Sequence, residues 1–165
     1  MVVQLITILG AISIMLLLGK AIFEYQKEVN KVRISFKAGM EKTDFPVITL
    51  ENNGTLYNFL VDTGASLSVV DEGVLKSITH TPINVTKSQM YGIDGNIITV
   101  DFVKINLKYK NNEFVEAFQV TTIPGFDNIE KDDGVRLSGI LGCSFFNRYK
   151  SEIDFKNLII KMNEK

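Results

Sequence analysis

The sequence predicts an all-β domain, a closed β-barrel with one short C-terminal helix, preceded by an N-terminal transmembrane helix. Two observations carry that expectation. Residues 2–19, VVQLITILGAISIMLLLG, hold no charged side chain. From Phe45 onward the chain turns to short apolar runs of period near two, broken by glycine and asparagine, the pattern of half-buried strands joined by tight turns.

The uncharged run, at about 1.5 Å rise per residue, spans roughly 27 Å as a helix, close to the hydrocarbon thickness of a bilayer. Lys20 can snorkel, so Ala21, Ile22 and Phe23 extend the segment and the anchor is expected at residues 1–23. A cleaved signal peptide is the competing reading, but there is no basic segment before the run and no clean small-x-small site after it. Lys20, Lys27, Lys31 and Arg33 follow the span, so the positive-inside rule favours a single-pass protein with its main domain on the cytoplasmic side. A domain on the other face, held by an uncleaved signal, is the rival. Residues 24–43, EYQKEVNKVRISFKAGMEKT, alternate in charge and read as a juxtamembrane helix running into a linker that ends near Gly39. The folded domain is then expected at 44–165.

Within that domain FPVITLENNGTLYNFLVDTG gives two strands around a turn at ENNG. SLSVVDEGVLKSI offers a short strand and a turn of helix. NVTKSQMYGIDGNIITVDFVKINLKYK reads as a long hairpin with its tip at YGIDGN, and NNEFVEAFQVTTI as a further strand. SGILGCSFFNRY begins as an apolar strand, passes a glycine and turns helical, and SEIDFKNLIIKMN ends in two short strands. DNIEKDD, residues 127–133, lacks calcium-loop spacing and reads as a solvated loop; His80 reads as an exposed loop residue.

Composition removes several classes. With 165 residues and a formal net charge of -1, the chain has no global basic surface for nucleic acid. Cys143 is the single cysteine, so no intrachain disulfide can form, and with His80 as the lone histidine a Cys/His metal site is disfavoured. No metal and no cofactor is expected.

One feature breaks the strand pattern: in FLVDTGAS an aspartate ends an apolar run and a turn follows at once. LVDTGAS, the glycine-bearing hairpin YGIDGNIITV and the ILGCSFF segment followed by IDF, taken in that order, resemble the retropepsin-like aspartic proteases over roughly residues 44–162. Those are single-domain relatives of pepsin that work as homodimers. The resemblance implies that Asp62 is catalytic, with Thr63, Gly64, Ala65 and Ser66 as its loop. It implies a flap at Gly92, Ile93, Asp94 and Gly95, and support of the loop from Ile140, Leu141 and Gly142. Thr63 would bond across the dimer interface. Ser66 would either hold the loop or cap a local turn. Asp94 departs from the glycine-rich flap tips of many relatives, and Cys143 stands where the family often has other residues.

The chemistry accounts for the residue types. Two nearby carboxylates cannot both ionise readily, so they share a proton and offer an acid and a base together. Each chain carries one DTG, so the pair requires two-fold symmetry. Ala65 lacks the hydroxyl that many two-domain relatives direct at the carboxylate, which implies a working pH nearer neutral. The reading is a membrane-anchored aspartic endopeptidase acting as a homodimer on protein or peptide substrates near the membrane. A noncatalytic dimerisation or peptide-binding module on the same fold is the alternative, and pairing with a different DTG-bearing chain is a third.

Overall fold

The computed structural model describes residues 2–91 and 97–163, with the side chains of residues 2–8, 11, 85–91 and 97–99 outside the description. The chain divides into two units, residues 1–31 and 32–163. The first is helix α1, Val2–Val29. Among the described residues no helix is long and apolar enough to cross a membrane.

The second unit is mostly β sheet with a few short helices, as an all-β domain requires. Its main sheet has seven strands in the order β2-β3-β8-β4-β7-β6-β5. These are β2 (Val47–Asn52), β3 (Thr55–Val61), β4 (Ser68–Asp71), β5 (His80–Tyr91), β6 (Ile97–Tyr109), β7 (Asn112–Thr121) and β8 (Leu137–Leu141). The sheet curls far enough for β6 to meet β2 as well, at Glu51 and Lys108. The turn expected at ENNG joins β2 to β3 through Asn53 and Gly54, both at positive φ, which suits a two-residue hairpin. The long hairpin is also present: β5 and β6 pair antiparallel from His80 with Ile105 to Tyr91 with Ile97. Its tip, including Gly92, Ile93, Asp94 and Gly95, lies outside the described residues.

A second sheet departs from the expected organisation. β1 (Val32–Ser35) pairs antiparallel with the C-terminal strand β10 (Ile159–Met162), which in turn pairs with β9 (Glu152–Asp154). Helix α2 (Lys37–Thr43) follows β1. Residues 32–43, expected as linker, therefore belong to the folded domain. Val32 and Ile34 point into the core while Arg33 and Ser35 face out, a period of two too short to stand out among alternating charges. Gly39 does not end a linker. It lets α2 approach β2, since a Cβ there would meet the Val47 carbonyl oxygen at 2.6 Å.

Two more expectations are corrected. DNIEKDD is not a loop but most of helix α3 (Phe126–Asp133), which stops at Gly134 in a left-handed cap. Phe126 and Ile129 fasten it to Val47 and Leu137 in a small apolar cluster. His80 opens β5, half-buried, with Nδ1 at 2.9 Å from the Ile78 carbonyl. Helix α4 (Cys143–Arg148) directly follows β8. It buries Phe145 and Phe146, and Phe145 stacks with Phe114 and Tyr149 in the main core. With α2 and α3 present, the domain holds more helix than the single C-terminal one expected.

Candidate active site

The position of Asp62 follows from the strand order. β3 and β4 are consecutive in the chain yet do not pair with each other; β8 lies between them, parallel to β3 and antiparallel to β4. Residues 62–67 must therefore cross over the end of β8. Val61 pairs with Leu141, and the Asp62 amide donates to the Leu141 carbonyl at 3.0 Å. The ladder ends there, and the half-buried Asp62 side chain stands at the end of two adjacent parallel strands.

The loop then folds on itself. The Gly64 amide donates to Asp62 Oδ1 at 2.8 Å, and the Ala65 amide to the Asp62 carbonyl at 3.3 Å. This orients the carboxylate and leaves Oδ2 for other partners. Thr63, Gly64 and Ser66 are exposed and Ala65 half-buried. Backbone bonds strap the loop to the turn after β8: Cys143 N–H to the Ala65 carbonyl at 2.8 Å, and Ser144 N–H to the Ser66 carbonyl at 3.0 Å. The Cys143 thiol donates to the Thr63 carbonyl at 3.1 Å. Such close straps need a residue without a side chain at Gly142, where a Cβ would meet the Leu67 carbonyl oxygen at 2.5 Å and that of Ala65 at 2.8 Å. Leu141 is fully buried beneath, and Ile140 is half-buried against the α3 cluster.

One side chain in this region was not foreseen. Glu116 on β7 is 1% exposed. Its Oε1 accepts from Ser68 Oγ at 3.1 Å and from Ser144 Oγ at 2.5 Å. Its Oε2 meets Arg148 Nε at 3.2 Å as an ion pair but accepts no well-aligned hydrogen bond. Ser144 and Arg148 stand four residues apart, so α4 presents both from one face. The signal was in the sequence: in EFVEAF the period of two puts Glu116 in phase with Phe114 and Phe118, both buried. A carboxylate on the inward face of a strand needs partners.

Tyr149 closes the same neighbourhood. Its hydroxyl accepts from the Val115 amide at 2.6 Å and donates to the Val115 carbonyl at 3.1 Å. Burial pushes its phenol above the ordinary tyrosine value; the Val115 bond and the Arg148 charge oppose that, and Glu116 adds to it. At the domain's second sheet, Asp154 ends β9 and accepts from the Lys156 and Asn157 amides and from Asn157 Nδ2 in the tight turn that follows. These bonds, that of the Asn157 side chain first, hold its carboxyl below the usual range.

A pocket of about 310 Å³ is lined by Asn52, Asn53, Thr79, His80, Thr81, Lys104 and Asn106. No residue of the Asp62 loop borders it. Among the described residues no group of His, Cys, Asp and Glu is arranged to hold a metal ion.

The arrangement is that of an acidic loop seated across the end of a β-strand pair, and sequence comparison gives it a class. The family model described as aspartyl protease matches residues 48–145. That span takes in the Asp62 loop, the long hairpin and the turn after β8. The chain belongs to the aspartyl protease family, of the retropepsin-like kind, and membership supports a peptidase hydrolase. No curated protein matches the chain.

Proposed function

We propose that the protein is a membrane-anchored aspartic endopeptidase, active as a homodimer in which each chain contributes one Asp62. The observation that carries this reading is the seating of Asp62: an acid at the end of a strand pair, with Oδ1 held by the Gly64 amide and exposed loop residues beside it. One such loop supplies half of an acid–base pair. Two loops meeting at a symmetry axis supply both halves, and the pair titrates as a unit.

In the dimer one carboxylate takes a proton from the attacking water. The other gives its proton to the carbonyl oxygen as the water oxygen bonds to the carbonyl carbon. The first then gives its proton to the nitrogen as the C–N bond breaks, and the second recovers its proton from a diol hydroxyl as the carbonyl reforms. Thr63, exposed at the loop's outer edge, is the residue that would join the two loops. An extended peptide would lie under the β5–β6 hairpin, with backbone bonds giving affinity and side-chain pockets giving choice. Residues 2–8 and 11 of the uncharged run at 2–19 lie outside the side chains described, so the absence of a span among the described residues does not bear on the whole run. Its composition supports the anchor, and the basic residues after it support a cytoplasmic domain. Tethering two copies to one membrane face raises their effective concentration and so favours pairing.

The test is cleavage of a peptide library by the full chain in detergent, together with sedimentation equilibrium. The expected result is a dimer that releases fragments and an Asp62→Asn dimer that releases none. Equal cleavage by both would end the reading. Peptide retention without fragments, unchanged by the substitution, would mark the noncatalytic module instead.

A further inference from the structure

We infer that Glu116 is a positioning residue for the Asp62 loop, acting through the hydroxyls of Ser68 and Ser144. The inference rests on the aspartic protease reading of that loop.

The geometry forms two parallel relays. The Gly142 amide donates to Ser68 Oγ at 3.2 Å, and Ser68 Oγ donates to Glu116 Oε1. The Ser68 amide donates to Ser144 Oγ at 3.3 Å, and Ser144 Oγ donates to the same Oε1. A hydroxyl has a single proton, and it can accept from an amide only when that proton is directed elsewhere. Glu116 supplies the direction for both serines. With each hydroxyl proton held on Oε1, the lone pairs face the two backbone amides that flank the loop crossing. Ser68 begins the strand after the loop, and Gly142 and Ser144 lie on the turn whose amides hold Ala65 and Ser66. Two chain segments remote in sequence from each other and from β7 thus converge on one buried oxygen. Glu116 touches neither Asp62 nor the exposed face where a peptide would lie, so its effect on the reaction passes through loop geometry alone.

A residue that only stabilises the fold would lower the melting temperature and leave turnover per folded molecule intact. A positioning residue changes kcat with little change in KM, since misplacement of reacting groups by about an ångström can cost 10²-fold in rate. The experiment compares full-chain wild type, Ser144→Ala, Ser68→Ala, Glu116→Ala and Glu116→Gln, with Asn52→Ala as a control remote from the loop. Kinetics on a library-selected peptide are joined to NMR-detected amide exchange. Ser144→Ala and Ser68→Ala, which change volume little and keep the ion pair, are expected to lower kcat roughly 10- to 100-fold with KM nearly constant. Exchange at the Cys143 and Ser144 amides should quicken about tenfold or more, while amides of the β6–β7 ladder keep wild-type rates. Glu116→Gln retains an acceptor for both hydroxyls and should restore most of the kcat that Glu116→Ala loses. Asn52→Ala should melt earlier with kcat unchanged.

Unchanged kcat in the serine variants, with strap exchange no faster than in Asn52→Ala, would overturn the inference. If Asp62→Asn cleaves as well as wild type, the protease reading fails instead. Exchange at Cys143 and Ser144 still decides whether Glu116 holds the loop, since it requires no turnover.

Discussion

Asn52 and Glu116 are both buried polar side chains that bind together backbone segments remote in sequence, and they do so with different chemistry. Asn52, 4% exposed, donates through Nδ2 to the carbonyls of Thr79 and Asn106 and accepts the Thr79 amide on Oδ1. Its amide carries both donor and acceptor, so it bonds the backbone directly and needs no intermediary. Glu116 is an acceptor when ionised and cannot satisfy a carbonyl. It collects two hydroxyls and a guanidinium, and the hydroxyls relay to the loop. The neutral anchor closes a turn against the sheet, whereas the acidic one lies behind the crossing that carries Asp62. A direct clamp fixes fold, while a relay fixes the conformation of one loop, and the two should separate when stability and turnover are measured side by side.

The largest separation is expected at Asp62. Asp62→Asn should lower cleavage by about 10³-fold or more while the melting temperature stays near wild type, because loss of an acid–base group removes chemistry and not packing. Coincident losses of both would break the division between loop and scaffold.

Gly142→Ala should damage both properties. The added methyl would press on the carbonyls of Leu67 and Ala65, costing about 1–3 kcal/mol as overpacking and displacing the loop. Differential scanning calorimetry with single-turnover kinetics would show whether the two losses arrive together.

Asn52→Ala supplies the other pole. It leaves three backbone groups without their partner, for about 2–3 kcal/mol of stability, readable in a urea titration, with kcat per folded molecule unchanged.

A pH effect sharpens the Glu116 side. Tyr149 is held above its ordinary value of 10.0, so between the unfolded and folded values the native state binds more protons. Stability should be fully present below pH 10.0 and fall as pH rises through the raised folded value. Thermal melts at alkaline pH should show this slope, and Tyr149→Phe should flatten it.

The smallest effect is expected at Asp154, whose carboxyl is lowered by Asn157 in an open turn. Here the sign reverses: stability is present above 3.8 and lost as pH falls through the lower folded value. Because the group is solvated, Asp154→Asn should alter acid melts only slightly.

Much of this architecture was legible in the chain. The hairpin arms of β5 and β6, the ENNG turn and the strand-to-helix passage at ILGCSFF each rest on local patterning, which the backbone enforces within a few residues. The Asp62 loop was legible because an acid, a glycine and an apolar run occur together where a strand should continue. β1 was less so, since four residues of period two are lost among neighbouring charges. α3 is hard to read in the sequence because Phe126 and Ile129 are sparse apolar anchors in an otherwise acidic segment, and their partners lie on β2 and β8.

The sequence by itself determined which stretches extend, where they turn and which carboxylate stands at a strand end, because these depend on side-chain period and on backbone conformation nearby. Only the tertiary structure decided that β8 passes between β3 and β4, that residues 32–43 join the domain, and that Glu116 lies behind the loop it supports. Those outcomes depend on pairing between segments far apart in the chain. A period of two names the face a residue occupies and says nothing of the partner that face will meet.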